Sequence, residues 1–255
     1  MGGSGQLGDG ERVHRRLQPE NAVFFLTNVH SSWFFPSHPP PLSLQRAITE
    51  GSGLSRLSEA LKIEAKEFVY RSYVALGQYN IVMDEISDDS STPTSLQSVR
   101  LLARYLSQPA DSAAVLAQLD ALLTGPQTGN PSTLQLIAAI IYLHEDNAKD
   151  ALRCVHLGVT MEHLALTTQI YLKINRPELA SKTTRTMQQA DEDATLTQLA
   201  VAWTHLAAGG AKLQEAAYIF DEVRRGRGAG PCFLVPQINL PTKIPCSLKT
   251  AYRQI

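Results

Sequence analysis

The sequence predicts an all-α protein, a solenoid of about five stacked helical hairpins with irregular termini. The first observation is that apolar residues recur with helical spacing between residues 59 and 223, in runs of helix length separated by short segments containing Gly, Pro, Asn or Asp. The second is that a large ring and a small residue recur together along this part of the chain. Recurrence at a fixed period is typical of repeat proteins, in which each unit covers the apolar face of the next.

The chain divides into three zones. Residues 1–58 are rich in Gly, Ser and Pro and show no sustained helical spacing, so we expect an irregular N-terminal region. Residues 59–223 form the predicted helical solenoid. Residues 224–255 form a predicted irregular, Pro-rich tail, because its prolines, at 231, 236, 241 and 245, stand too close together for a helix to continue through them.

The internal repeat joins a tyrosine to a small or β-branched residue nine positions later. The four pairs are Tyr73 with Val82, Tyr105 with Ala114, Tyr142 with Ala151 and Tyr171 with Ala180, and a looser fifth copy has Trp203 and Ala216. The small position therefore recurs after 32, 37, 29 and 36 residues, close to the period of about 34 of tetratricopeptide repeats. A small residue is needed where the two helices of a hairpin cross closely. Chance recurrence in an ordinary helical bundle is the alternative.

A second pattern on the first helix of each hairpin predicts a partner-binding groove. The positions fifteen, eleven and eight residues before the small residue share one helix face, which lines the concave groove in tetratricopeptide solenoids. We call these nine residues the groove stripe: Val99, Ala103, Leu106, Leu136, Ile140, Leu143, Ala165, Gln169 and Leu172. Because the groove stripe is mostly apolar, it predicts a bound helix or apolar segment. The alternative is that these residues belong to the core between the helices.

Composition and motifs argue against several other functions. A net charge of −1 and a pI of about 6.7 do not favour nucleic-acid binding. Three cysteines fit a reducing compartment, and we expect a cytoplasmic protein without a membrane-spanning segment. We found no catalytic or metal-binding motif, so we expect no enzyme activity, cofactor, metal or small-molecule ligand. A helical-toroid enzyme would need paired carboxylates at a cavity rim, for which Asp84 with Glu85 is the nearest candidate.

Three segments resemble the epsilon subunit of coatomer. They are Phe68–Tyr73 with Val82–Ile86, Ala138–His144 with Asp150–Arg153, and a stretch from Asp191 through Trp203 to Ala216. The last segment, which begins Asp-Glu-Asp-Ala-Thr-Leu-Thr-Gln-Leu-Ala, is the longest and most specific. The resemblance covers about residues 64 to 223. Both ends depart from the family pattern, with the Pro-rich run of residues 36–41 near the N-terminus and Gly, Arg and Pro after Val223.

The resemblance implies a non-enzymatic structural subunit of the COPI vesicle coat, acting in retrograde Golgi-to-ER and intra-Golgi transport. The partners it implies are the large alpha coat subunit, enclosed by the solenoid, and the rest of the coat. It also implies a peripheral, indirect association with Golgi and COPI-vesicle membranes on their cytoplasmic side. The alternative function is a tetratricopeptide adaptor or co-chaperone that binds a peptide in its groove. Such a groove would need Lys, Arg and Asn, which the groove stripe lacks.

Overall fold

The computed structural model describes residues 48–49, 58–89, 92–125, 131–156, 158 and 160–227, with side chains described as far as Val223. Within these ranges the chain forms ten α-helices and no strand. They are α1 (Glu59–Ala75), α2 (Tyr79–Glu85), α3 (Thr94–Ser107), α4 (Ser112–Thr124), α5 (Ser132–His144), α6 (Ala148–Val155), α7 (Met161–Lys173), α8 (Pro177–Ala190), α9 (Thr195–Ala208) and α10 (Lys212–Arg227).

Consecutive helices pair into five antiparallel hairpins, α1 with α2 through α9 with α10. The first helices of successive hairpins, α1, α3, α5, α7 and α9, pack against one another in chain order and form one layer. The second helices flank this layer, and α2, α6 and α8 also contact the first helix of the following hairpin. The predicted all-α solenoid of helical hairpins is therefore confirmed.

Most of the predicted irregular termini lie outside the described residues. Ile48 and Thr49 have helical backbone conformation. Helix α10 ends at Arg227, four residues after the predicted boundary at Val223. Within α10, Phe220 packs into the core, whereas Tyr218 is 66% exposed.

Three hairpins turn in the same way, at the position four residues after the repeat tyrosine. Gly77, Asp146 and Asn175 occupy this position with φ of 73°, 58° and 58°. The backbone N–H of the next residue donates to the tyrosine carbonyl, for example from Asn147 to Tyr142 at 2.8 Å. This is a Schellman motif, which ends a helix with one left-handed residue. The repeat tyrosines therefore mark helix ends through their carbonyl groups as well as through their rings.

The second hairpin departs from this turn because Pro109 stands where the left-handed residue would be. Proline cannot adopt a positive φ and has no N–H to donate. A 3₁₀ turn over Pro109–Asp111 takes its place. The small position moves by one residue, so Val115 is buried and Ala114 is exposed. The prediction that Ala114 lies at the helix crossing is therefore wrong, whereas its counterparts Val82, Ala151, Ala180 and Ala216 are completely buried.

Candidate partner-binding surface

The groove stripe lies mostly inside the folded chain. Its buried members, all at most 4% exposed, are Val99, Ala103, Leu136, Ile140, Leu143, Ala165, Gln169 and Leu172. Leu106 is half-buried and packs against the edge of the core. This burial favours the alternative reading, in which these side chains belong to the core between the helices. A role in partner binding stays a prediction for all nine.

Gln169 is the one polar member of the groove stripe, and its amide is buried without a partner. The residue is 4% exposed. Neither Nε2 nor Oε1 makes a hydrogen bond within the described part of the chain. A buried, unsatisfied polar group costs about 1–3 kcal/mol, so its presence calls for an explanation. Because both atoms are shielded from solvent, a group from outside the chain can pair with them only if the surrounding core opens.

Helix α1 makes two polar contacts with distant helices. Arg71 Nη2 lies 2.8 Å from Glu162 Oε2, a carboxylate 91 positions later in α7. Thr133 Oγ1, at the start of α5, donates to Glu67 Oε2 at 2.6 Å. Both side chains of the ion pair are largely buried, Arg71 at 6% exposure and Glu162 at 16%. The first hairpin is thus tied directly to the third and the fourth.

These contacts fall on the same helix faces as the groove stripe. Thr133 precedes Leu136 by three residues, and Glu162 precedes Ala165 by three. Residues three and seven positions apart lie above one another on a helix, so Thr133 continues the line of Leu136 and Ile140 toward the N-terminus of α5. Glu162 continues the line of Ala165 and Gln169 on α7 in the same way. Side chains of α1 therefore reach the N-terminal turns of α5 and α7, next to the groove-stripe positions of both helices.

A buried histidine supports the start of α7. The imidazole of His163 is 1% exposed, and its Nδ1 lies 2.5 Å from the hydroxyl of Thr160, the residue that caps α7. Burial lowers the pKa of His163 below its usual value, which favours the neutral ring. Gly158 passes so close that a Cβ there would lie 2.1 Å from the ring. The arrangement fixes the first turn of α7, which carries Glu162.

The fourth hairpin is also tied to the turn of the third. Lys173 Nζ donates to the Leu143 carbonyl at 2.7 Å and pairs with the Asp146 carboxylate at 2.6 Å. A cation beside the last carbonyls of a helix is favoured by the helix dipole. Lys173 thereby links the C-terminal ends of α5 and α7.

A depression of about 560 Å³ lies between α2, α3 and α4. Its two arginines are already engaged within the chain. Arg100 pairs with Asp88 at 2.7 Å and Arg104 with Asp111 at 3.2 Å. The depression therefore offers no cation that lacks a counter-charge.

Sequence reasoning did not identify Arg71, Glu67 or Glu162 as related residues. Each is an ordinary charged residue at a helical position, and the contacts bring together segments that the repeat pattern treats as separate units. The sequence feature that could have pointed to Thr133 and Glu162 is their position three residues before members of the groove stripe.

Asp84 and Glu85 are the two carboxylates that the sequence offers as the nearest candidates for an enzyme site. Both are exposed on the short helix α2.

None of the described helices is long and apolar enough to cross a membrane. In the same part of the chain, no group of three or more His, Cys, Asp or Glu residues is arranged to hold a metal ion.

Stacked two-helix units with a continuous core, three of them joined by the same Schellman turn, define a helical-hairpin solenoid of the tetratricopeptide type. Residues 43–234 match the model of the coatomer epsilon subunit family. The chain belongs to this family.

Several plant and non-plant relatives agree with this family. The chain is 44% identical over 181 residues to coatomer subunit epsilon-2 of Arabidopsis thaliana, covering 71% of this chain and 61% of the relative. It is 44% identical over 181 residues to coatomer subunit epsilon-1 of Oryza sativa subsp. japonica, covering 71% and 62%. It is 33% identical over 196 residues to coatomer subunit epsilon of Dictyostelium discoideum, covering 74% and 65%. The chain thus spans less than two thirds of the length of these relatives.

Proposed function

We propose that this chain acts as a non-enzymatic structural subunit of the COPI vesicle coat and binds the large alpha coat subunit through the side of the solenoid that bears the groove stripe. Membership of the epsilon family is the single observation that carries the proposal. In this role the chain supports retrograde Golgi-to-ER and intra-Golgi transport. It meets the membrane only indirectly, as a peripheral component of the assembled coat on the cytoplasmic side.

The composition of the groove stripe matches that of a protein interface, but only Leu106 can contact a partner without rearrangement of the chain, because the other eight members are at most 4% exposed. Eight of its members are Val, Ala, Leu or Ile, and the remaining one is an unsatisfied amide. Apolar contacts supply the affinity of such an interface, while a small number of polar groups fixes the register. Gln169 is the polar member of this set, and a partner can reach its amide only if the surrounding core opens.

Co-purification with the C-terminal domain of the alpha coat subunit tests the proposal. Substituting Asp for the fully buried members of the groove stripe would unfold the chain, so the half-buried Leu106 is the better site for a variant. We expect Leu106→Asp to weaken complex formation. Leu179→Asp is the matched control, because Leu179 is a 40% exposed leucine on a second helix. Failure of the wild-type chain to form the complex, or equal binding by the two variants, would contradict the proposal.

A further inference from the structure

Thr92 lies in the connection between α2 and α3 and is followed directly by Pro93. No other serine or threonine in the 255 residues precedes a proline. A Ser-Pro or Thr-Pro pair is the feature by which proline-directed protein kinases select the hydroxyl that they phosphorylate. A short motif of this kind has meaning only in a fitting structural context, which the surroundings of Thr92 supply.

The Thr92 hydroxyl lies at the surface on a backbone that a kinase can bind. Its Oγ1 donates to the Ser87 carbonyl at 3.1 Å in an exposed hydrogen bond, and residues 87–89 are exposed. Pro93 has a φ of −54° and a ψ of 136°, close to the extended polyproline II conformation. Protein kinases bind their substrate segments extended, and α3 begins only at Thr94. The hydroxyl can therefore be reached while the helical core stays packed.

A cation stands beside this hydroxyl. Arg100 Nη1 lies 2.7 Å from the carboxylate of Asp88, the residue next to Ser87. The Thr92 hydroxyl and the Arg100 guanidinium are therefore anchored to neighbouring residues of the connection. Gln97, three residues before Arg100 on α3, donates its side-chain amide to the Thr92 carbonyl at 2.8 Å. Because residues three apart share a helix face, Thr92 lies over the face of α3 that carries Arg100.

We propose that Thr92 is a phosphorylation site for a proline-directed kinase and that its phosphate takes Arg100 from Asp88. The Thr92 oxygen attacks the γ-phosphorus of ATP and forms a new O–P bond. The bond from the γ-phosphorus to the bridging oxygen breaks, ADP leaves, and the hydroxyl proton passes to the catalytic base of the kinase. The inference stands independently of the proposed function, because no coat partner takes part in it.

Charge determines which anion holds Arg100. The side chain of Asp88 is 76% exposed, and an exposed ion pair contributes little, so the carboxylate can turn into water when a stronger anion arrives. A phosphothreonine carries a charge of about −1.5 to −2 at pH 7 and three acceptor oxygens. A guanidinium binds phosphate through two parallel hydrogen bonds. The exposed carboxylates of Asp88 and Asp89 repel the phosphate, and pairing with Arg100 offsets this repulsion.

The first measurement is phosphate incorporation into the folded full chain by a mitogen-activated, proline-directed kinase with ATP, located by mass spectrometry of tryptic peptides. We expect phosphate at Thr92. Incorporation should be slower by about tenfold or more in Pro93→Ala, because the kinase pocket loses its apolar contact with the proline ring. Thr124 is the internal control that should stay unmodified, because it is an exposed threonine at a helix end followed by glycine.

Two results of this measurement would overturn the proposal, namely absence of phosphate at Thr92 and equal incorporation by Pro93→Ala. Thr92→Ser keeps the proline and should still accept phosphate. It keeps the test valid if Pro93→Ala loses stability, since a serine variant without phosphate would also overturn the site.

Phosphorus NMR of the phosphorylated chain tests the pairing with Arg100. A guanidinium beside the phosphate favours the dianion and lowers the second pKa of the phosphate, which is ordinarily about 6. We expect a lower pKa in the wild type than in Arg100→Met. Arg153→Met is the matched control, because Arg153 forms a 3.0 Å pair with Asp150 on the exposed surface of α6, and it should leave the pKa unchanged. Equal values in Arg100→Met and the wild type would overturn the pairing.

Discussion

Replacing Gln169 by leucine tests the most unusual feature of the groove stripe. The side chain is 4% exposed, and both polar atoms of its amide lack hydrogen-bond partners in the described part of the chain. Leucine is close in volume and has no polar atoms to desolvate. We therefore expect Gln169→Leu to stabilise the isolated chain by about 1–3 kcal/mol, the usual cost of one unsatisfied buried group. A chain of this size should then melt roughly 2–4 °C higher for each kcal/mol gained.

Urea denaturation followed by far-ultraviolet circular dichroism measures the change in the free energy of unfolding. Gln188→Leu is the matched control, because Gln188 is exposed on α8 and surface substitutions usually change stability by less than about 0.5 kcal/mol. Binding to the alpha coat subunit provides the second readout, since the same substitution should weaken a complex in which the core opens and the partner satisfies the amide. Destabilisation by Gln169→Leu would mean that the amide is hydrogen-bonded in the isolated chain and would refute the reasoning.

Three further predictions concern local structure. Asn175→Ala should lower the free energy of unfolding by roughly 1 kcal/mol, because its φ is 58°, while Asn175→Gly should retain the wild-type value in the same denaturation assay. Gly158→Ala should lower the free energy of unfolding by about 1–3 kcal/mol, because the new Cβ would lie 2.1 Å from the His163 ring. An unchanged melting temperature would contradict the observed packing. Acidification below about pH 6.5 should destabilise the chain, because the lowered pKa of His163 means that the unfolded state binds the proton more readily. The stability of the His163→Gln variant should depend less on pH in this range than that of the wild type. An unchanged dependence would mean that other groups cause the destabilisation.

Much of the fold could be predicted because the repeat couples two physical requirements in a short stretch of chain. A ring near the end of one helix and a small residue at the crossing with the next both leave a local signature. The turns were predicted as turn-prone segments, but their left-handed residues could be assigned only with the backbone in view. Pro109 stands in the sequence, and its missing N–H and fixed φ explain why the buried small position of the second hairpin moves by one residue. Ala114 nevertheless fits the nine-residue spacing, so the spacing alone points to Ala114 and not to Val115, the residue that is buried.

The candidate surface was harder to predict for two reasons. Helical spacing identifies the shared face of residues such as Leu136 and Ala165, but an apolar face looks the same whether it meets another helix of the chain or a partner. The contact of Arg71 with Glu162 depends on how the first four hairpins curve relative to one another, and residue spacing within one helix carries no information on that curvature.

Site-specific photo-crosslinking tests the central claim most directly. A photoreactive phenylalanine analogue at Leu106, in the groove stripe, and the same analogue at Leu179, on a second helix, would each be irradiated in the presence of the C-terminal domain of the alpha coat subunit. Both positions are accessible in part, so the analogue can be accommodated at each. We predict a crosslinked product from position 106 and none from position 179. Crosslinking from position 179 alone would contradict binding through the groove stripe.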